Sequence, residues 1–191
     1  MPETARPQPV RRVVTGHNPD GQSVVTSDTP SPHVLATSGG KGPVVTDLWK
    51  SLASPADNTA EADPCGDITL APPPGGTVFR TVEFPPDSAY MAGWDEHAAF
   101  AAMGHPLDHG QSRKGATVGM HRTASLDYAI VLSGSIWAVM DQGETLLHPG
   151  DVLVQRGTNH GWSNRGTQPA VLAFVLVGAH PLPHPVPAEA V

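Results

Sequence analysis

The sequence is short of charge, of basic side chains and of long apolar runs. Charged residues make up only 15% of the 191 residues, and 18 acidic against 11 basic side chains give a net charge of -7. Nucleic acids and anionic membranes bind basic surfaces, so both are poor partners for this chain. The longest apolar stretch, residues 170–179, is far shorter than the roughly 20 residues of a membrane span. We therefore expect a soluble protein that binds neither nucleic acid nor membrane.

Cysteine and several catalytic motifs are also scarce. The lone Cys65 excludes an internal disulfide, and the amino-terminal residues carry charge and proline where a secretory signal has an apolar segment. The sequence has no GxSxG nucleophile elbow, no phosphate-binding glycine loop and no CxxC pair. These absences favour a cytoplasmic protein whose chemistry depends on other residues.

Glycine and proline, in contrast, are abundant, with 20 and 21 residues. Such a composition favours turns and argues against a bundle of long helices. The second half carries short runs of β-branched and aliphatic residues separated by turn signals, which predict antiparallel strands of a sandwich or barrel. These runs are Tyr128–Leu132, Ser135–Met140, Thr145–Leu147, Asp151–Gln155 and Ala170–Val177.

We divide the chain into four parts by composition. Residues 1–10 form a flexible arm, 11–76 an extension with a hairpin and loops, 77–178 the barrel, and 179–191 a proline-rich tail. In the extension, Val44–Trp49 is the one predicted strand after the hairpin. Thr77–Phe84 alternates as a strand, and Asp95–Met103 predicts a short helix before a loop rich in histidine and glycine.

A group of metal-ligand residues lies among the predicted strands. Side chains at even spacing share a face, so His121, Thr123 and Asp127 point the same way if their strand is continuous. His160 follows a second hairpin, and antiparallel pairing would bring it opposite that face. Two imidazoles and one carboxylate form a facial triad, which suits Fe(II) or Zn and also accepts Mn or Ni. The alternative is that the two histidines are unrelated strand-end residues and Asp127 is a turn or cap residue.

At these positions the sequence resembles the cupin superfamily, in which the first motif is G-x5-H-x-H-x3,4-E-x6-G and the second is G-x5-P-x-G-x2-H-x3-N. It looks like a small single-domain cupin, which implies an all-β jelly-roll barrel, a double-stranded β-helix, with extension strands at its amino-terminal side. The resemblance implies that His121, Asp127 and His160 hold one divalent metal ion inside the barrel. Thr123 replaces the second histidine, Asp127 the glutamate and Arg156 the proline, so a metal-free barrel stays open as an alternative.

Three further residues are expected to contact substrate. Trp162 shares the strand parity of His160 and is either a pocket wall or a core tryptophan. Arg156 begins the loop before His160 and is the preferred anion-binding candidate, whereas Arg122 has surface parity. Thr123 shares the predicted face of His121. The preceding histidines are expected to be solvated, with a general base or a missing ligand as the alternative: His97, His105 and His109.

Three functions remain open. The leading hypothesis is a metal-dependent enzyme that acts on a small organic acid or carbonyl compound by dehydratase, decarboxylase or isomerase chemistry. The first alternative is an Fe(II) oxygenase that uses the same triad. The second alternative is a non-catalytic barrel that binds a small molecule without metal. Because extra strands cover unpaired sheet edges, we also expect a homodimer in which the amino-terminal arm crosses to a neighbour.

Overall fold

A computed structural model of the chain describes residues 9–60, 62–105 and 119–181. Strands dominate, and the helices are short. The strands are β1 (Arg11–His17), β2 (Ser23–Pro30), β3 (Val34–Ala36), β4 (Val44–Ser51), β5 (Thr77–Phe84), β6 (Ser125–Ser133), β7 (Ile136–Met140), β8 (Glu144–Leu147), β9 (Val152–Arg156), β10 (His160–Ser163) and β11 (Ala170–Gly178). The α-helices are α1 (Asp87–Tyr90) and α2 (Glu96–Ala101), and 3-10 turns lie at Ser38–Gly40 and Met91–Gly93.

Two antiparallel sheets form the barrel. The larger sheet has six strands in the order β3-β4-β5-β11-β6-β9, and the smaller has the order β10-β7-β8. One apolar cluster fills the space between the sheets and draws on both, including Val78 and Leu172 from the larger sheet and Ile136 and Trp162 from the smaller. This arrangement confirms the predicted jelly roll.

Alternation along the strands explains which residues reach the core. In β6, Ala129 and Val131 are 1% and 2% exposed, whereas their neighbours Tyr128 and Leu132 are 40% and 52% exposed. Successive side chains of a strand point to opposite faces, so the β6 sequence presents one apolar side to the core and one to solvent. This pattern is the reason that the strand signal in the second half of the sequence is strong.

Gly134 makes the tight connection between β6 and β7. Its φ is 71°, in the left-handed region, and a Cβ atom there would lie 2.5 Å from the Pro169 carbonyl oxygen. Only glycine combines this conformation with so close an approach to backbone. The glycine that ends the first motif is therefore explained by the tight turn through which the chain passes from the larger sheet to the smaller one.

The extension contributes strands to the barrel, as predicted. β4 pairs with β5, and β3 pairs with β4 at the edge of the larger sheet. β1 and β2 form a separate hairpin that is joined to the barrel by Arg12, which donates to the Leu48 carbonyl oxygen at 3.3 Å and pairs with Asp63 at 2.7 Å. No helix within the described parts of the chain is long and apolar enough to cross a membrane.

Two local features differ from the sequence expectations. The strand expected to carry both His121 and Asp127 is not continuous, because β6 begins only at Ser125 and His121 forms an isolated bridge with His160. The segment HGWS is a strand, β10, although three of its four residues are not strand formers. In both places pairing with a neighbouring segment decides the structure.

Candidate functional site

A cavity of about 110 Å³ lies between the two sheets and is lined mainly by apolar side chains. The polar lining residues are Thr37, Arg80, His121, Thr123, Asp127 and His160. The apolar lining includes Leu70, Val82, Phe84, Trp94, Phe100, Met103, Trp162, Phe174 and Leu176. A mostly apolar cavity with a few convergent polar groups is the usual form of a small-molecule site.

Two histidines meet at one end of this cavity. The backbone N–H of His121 donates to the His160 carbonyl oxygen at 2.8 Å, and the N–H of His160 donates back at 2.9 Å. This antiparallel bridge holds the two ring centroids 4.4 Å apart. Segments that are far apart in the sequence therefore present their imidazoles side by side.

Both rings are fixed and uncharged. Nδ1 of His121 lies 2.8 Å from the Gly119 carbonyl oxygen, and Nδ1 of His160 lies 3.0 Å from that of Thr158. A carbonyl accepts only, so each Nδ1 carries the proton and each Nε2 keeps its lone pair. Burial, with the neighbouring His160 ring adding to it, lowers the pKa of His121 to about 3, and burial also lowers the pKa of His160. Neutral imidazoles held in this way are the form in which histidine binds metals.

Asp127 reaches the cavity from the larger sheet. It lies on β6, paired with Leu176 of β11 and Gln155 of β9, and is 5% exposed. Its Oδ1 is buried and has no hydrogen-bond partner among the described residues. Burial raises the pKa of this carboxyl group, while a hydrogen bond from Ser125 and the charge of Arg80 act in the opposite direction. Asp127 is thus a buried carboxyl group that is disposed to hold a proton.

The three predicted metal ligands line one cavity but do not form a tight cluster. His121 and His160 belong to the small-sheet side and Asp127 to the large sheet, and their ligand atoms are not all within 4.8 Å of one another. Within the described ranges, the cluster that meets this spacing is His33, Asp63 and Cys65. The histidine pair fits a metal by its donor chemistry, and Asp127 stands apart from it.

The His33, Asp63 and Cys65 cluster is already internally satisfied. Asp63 Oδ2 lies 2.7 Å from the Arg12 guanidinium and 3.1 Å from His33 Nε2, and Oδ1 accepts from the Cys65 backbone N–H at 2.9 Å. Burial and the Asp63 charge raise the pKa of the Cys65 thiol to about 12. A guanidinium next to the carboxylate opposes a further cation, so these residues connect the hairpin to the loop after β4.

The residues expected to contact substrate fall into two groups. Thr123 and Trp162 both line the cavity; Thr123 Oγ1 lies 2.7 Å from Ser125 Oγ, and Trp162 packs edge-on against His160 with ring centroids 5.9 Å apart. Arg156 is exposed and is absent from the lining, because it pairs with Leu126 on the outward row of β6 and β9. The structure therefore does not bring Arg156 to the cavity.

The other predicted histidines do not line the cavity either. His97 is exposed on α2, whereas His105 is half-buried beside Phe100, with ring centroids 6.5 Å apart. His105 is near enough to His121 to lower its pKa slightly. His109 lies outside the described residues.

Sequence reasoning missed a buried charge network beside the cavity. Arg80 on β5 lines the cavity and is 3% exposed; its Nε lies 2.9 Å from Asp47 Oδ1, and Lys50 Nζ lies 3.2 Å from Asp47 Oδ2. The signal was available, because the alternation of TVFRTVEF puts Arg80 on the same face as Val78 and Val82. A charged residue on an apolar strand face indicates a functional or paired position.

The chain is similar to several known proteins. A family profile described as Cupin domain matches residues 111–177. Phomopsin biosynthesis cluster protein D from Diaporthe leptostromiformis is 32% identical over 179 residues, which cover 90% of this chain and 79% of that protein. Cupin-domain-containing oxidoreductase fogC from Aspergillus ruber is 29% identical over 177 residues, with 88% and 72% covered. A solved Cupin_2 domain of an XRE family transcriptional regulator from Enterobacter cloacae has a TM-score of 0.39 and 13% identity, covering 74% of this chain and 99% of that chain.

Proposed function

This chain belongs to the cupin family, and from that premise we propose that it is an enzyme that converts a small carbonyl compound or organic acid in the cavity between its sheets. His121 and His160 would hold one divalent metal ion, Fe(II) or Zn by preference. The observation that carries the proposal is the pair of adjacent imidazoles, each oriented through Nδ1 by a backbone carbonyl. Such orientation of the ligand ring is typical of metal-binding histidines.

A bound ion of this kind supplies Lewis-acid polarisation of a substrate oxygen. The carbonyls of Gly119 and Thr158 keep the two imidazoles in one tautomer, so that both Nε2 atoms are available as donors. The aromatic side chains of Trp162 and Phe174, with ring centroids 5.4 Å apart, provide an apolar wall of the cavity. Electrostatic interactions are stronger in such surroundings than in water.

Asp127 would move the proton that dehydration, decarboxylation or isomerisation requires. Its Oδ1 is buried and lacks a hydrogen-bond partner among the described residues, and burial raises its pKa above the usual value of a carboxyl group. A carboxyl group in this condition gives or accepts a proton at little cost. This role differs from the ligand role expected from the motif, and it agrees with the position of Asp127 on the opposite sheet.

Oxidation is the second candidate, because the relative from Aspergillus ruber is named an oxidoreductase. The same histidine pair with Fe(II) would serve dioxygen-dependent chemistry. Turnover under argon distinguishes the two reactions: an oxygenase stops without dioxygen, whereas a lyase or isomerase continues.

Metal content tests the proposal directly. Protein purified without chelator is analysed for metals as wild type and as His160→Ala, with His148→Ala as the matched control, because His148 is exposed and hydrogen bonds to Ser135 away from the cavity. We expect His160→Ala to lose nearly all bound metal while its circular dichroism spectrum stays that of a β protein. The control should keep its metal. Equal metal content in wild type and His160→Ala would reject the proposed site.

A further inference from the structure

The cavity contains a second polar end besides the histidine pair. Arg80 on β5 and Asp127 on β6 lie on adjacent inward rows of the larger sheet, separated by β11: Arg80 pairs with Phe174, and Asp127 pairs with Leu176. Both residues line the cavity and are 3% and 5% exposed. A cation and a carboxyl group thus line the same mostly apolar cavity from the two strands that flank β11.

The Arg80 guanidinium has donors to spare. Its Nε lies next to the Asp47 carboxylate. Nη2 donates to the Thr69 carbonyl oxygen at 2.6 Å, and Nη1 donates to the Leu70 carbonyl oxygen at 3.5 Å. A guanidinium has five N–H donors, so these contacts leave two for a ligand. The fork geometry of arginine suits a carboxylate in particular.

The charges around Arg80 also leave room for an anion. Asp47 is fully buried and its single carboxylate serves two cations, Arg80 and Lys50. Asp127 is the other acidic group that acts on Arg80 from the cavity side, and its Oδ1 has no hydrogen-bond partner within the described ranges. A ligand carboxylate could accept from Arg80 and share one proton with Asp127, and the two carboxyl groups would then carry one negative charge between them. Such an arrangement balances the second cation and satisfies the orphan oxygen.

The apolar residues of the lining indicate what the rest of that ligand is like. Leu70, Trp94, Phe100, Trp162 and Phe174 surround the cavity, whose volume of about 110 Å³ suits an apolar group on the scale of one aromatic ring or a short alkyl chain. A second carboxylate on the ligand would lose its hydration against these apolar side chains. The two polar ends and the apolar wall together specify an acid with one carboxyl group.

We propose that Arg80 and Asp127 form a carboxyl-recognition pair and that the cavity takes monocarboxylic acids with an apolar aryl or alkyl body. This inference rests on the proposed use of the cavity as the substrate site and narrows the substrate class. Arg80 is a specificity-determining residue in this proposal, in the role that the sequence alone assigned to Arg156.

Binding of an isosteric pair of probes tests the inference. Benzoate and benzamide have the same shape and differ in charge, and oxalate has the charge without the apolar body. Dissociation constants are measured by calorimetry on the protein as purified and again after treatment with chelator. We expect benzoate to bind about tenfold more tightly than benzamide, as a charge-assisted bond predicts, and oxalate to bind more weakly than benzoate. Equal affinities for benzoate and benzamide in wild type would overturn the inference.

Two variants locate the preference. Arg80→Gln should bind benzoate and benzamide equally, whereas the matched Arg156→Gln variant, altered at an exposed position, should keep the tenfold preference. Because Arg80 is also paired with buried Asp47, Arg80→Gln must first show a cooperative thermal transition. If Arg80→Gln does not fold, Asp127→Asn is the test variant. It should change the dissociation constant for benzoate at least threefold and leave that for benzamide unchanged. Loss of preference in Arg156→Gln, or no change in Asp127→Asn, would reject the assignment.

The outcome is separable from that of the proposed function. One possible result is a benzoate preference that depends on Arg80 and persists after chelation, together with equal metal content in wild type and His160→Ala. This result would support the carboxyl-recognition pair and reject the proposed metal site. If the metal content falls in His160→Ala but the wild type shows no benzoate preference, the metal site is supported and the carboxyl-recognition pair is rejected.

Discussion

Thr123 is the residue at which the sequence departs most from the four-ligand pattern that the motif describes. It lines the cavity with His121, and its hydroxyl lies 2.7 Å from that of Ser125. We expect Thr123→His to add a third imidazole donor and to tighten metal binding by about tenfold or more, since each added ligand contributes to affinity. Competition with a chromophoric chelator measures the change. Thr123→Val has nearly the same shape without a donor and should not tighten binding; a gain in Thr123→Val would contradict the explanation.

Half-buried His121 and buried His160 predict a pH dependence of folding in chelator-treated protein. The pKa of His121 is lowered to about 3 and that of His160 is also lowered, so the unfolded chain binds more protons once the pH falls below about 6.5. Their contribution to stability is therefore complete above that pH and is lost as the pH falls toward 3. The raised pKa of Asp127 has the opposite effect, because the folded chain then binds the extra proton. It offsets part of the stability lost through one histidine.

The net expectation is a loss of unfolding free energy of about 1.4 kcal/mol per pH unit between pH 6 and 4, equivalent to one proton. Urea denaturation at stepped pH values measures it. His160→Gln should flatten this slope, whereas His148→Gln, altered at an exposed position, should leave it as in wild type. A slope unaffected by His160→Gln would show that the buried rings are not its source.

At the scale of elements, strand and turn chemistry predicted most of the fold. The β5 expectation matches the observed Thr77–Phe84, and β6 to β9 and β11 differ from expectation by a few residues at their ends. Local alternation carries this information. The break before Ser125 and the strand at His160–Ser163 carry no local signal, because they depend on pairing with distant segments: His121 bridges His160, and β10 pairs with β7. The motif predicts the histidine pair. It does not predict that Asp127 lies on the opposite sheet, because the break before Ser125 separates His121 from the strand that carries Asp127.

One connection between elements should be important for stability. The Asn164 side chain donates to the carbonyl oxygens of Phe84 at 2.8 Å and Gln168 at 2.9 Å and accepts from the Gly166 N–H at 3.0 Å, so it ties the end of β5 to the turn before β11. Asn164 is 1% exposed. We expect Asn164→Ala to lower the unfolding free energy by about 2–4 kcal/mol, because three backbone groups lose a buried partner. Urea titration checks this, with the exposed Asn58→Ala as a control that should change it by less than about 0.5 kcal/mol.

At the scale of the whole molecule, the outer face of the larger sheet carries an apolar row. Cross-strand pairing aligns Trp49, Phe79, Val175, Tyr128 and Val154 across five strands. Phe79, Tyr128 and Val154 are 41%, 40% and 54% exposed. A contiguous apolar patch on a sheet face is typical of an interface with another protein.

We expect this row to be covered by a second copy of the chain, giving a homodimer. Light scattering on the wild type should then give twice the chain mass of 19.9 kDa. Tyr128→Glu places a charge in the middle of the row and should give the single-chain mass, whereas Leu52→Glu, in the loop after β4, should not. A single-chain mass for the wild type at micromolar concentration would rule out the dimer.

The bridge between His121 and His160 makes the assembly of the site measurable by amide hydrogen exchange. Each residue donates its amide to the carbonyl of the other, so the two imidazoles become neighbours only when these two amides are protected. Their rates of exchange with deuterium in heavy water therefore count the fraction of molecules whose site is assembled, before any substrate is known. Because a metal would bind only the assembled form, it should lower both exchange rates together, in proportion to the fraction of sites left unoccupied.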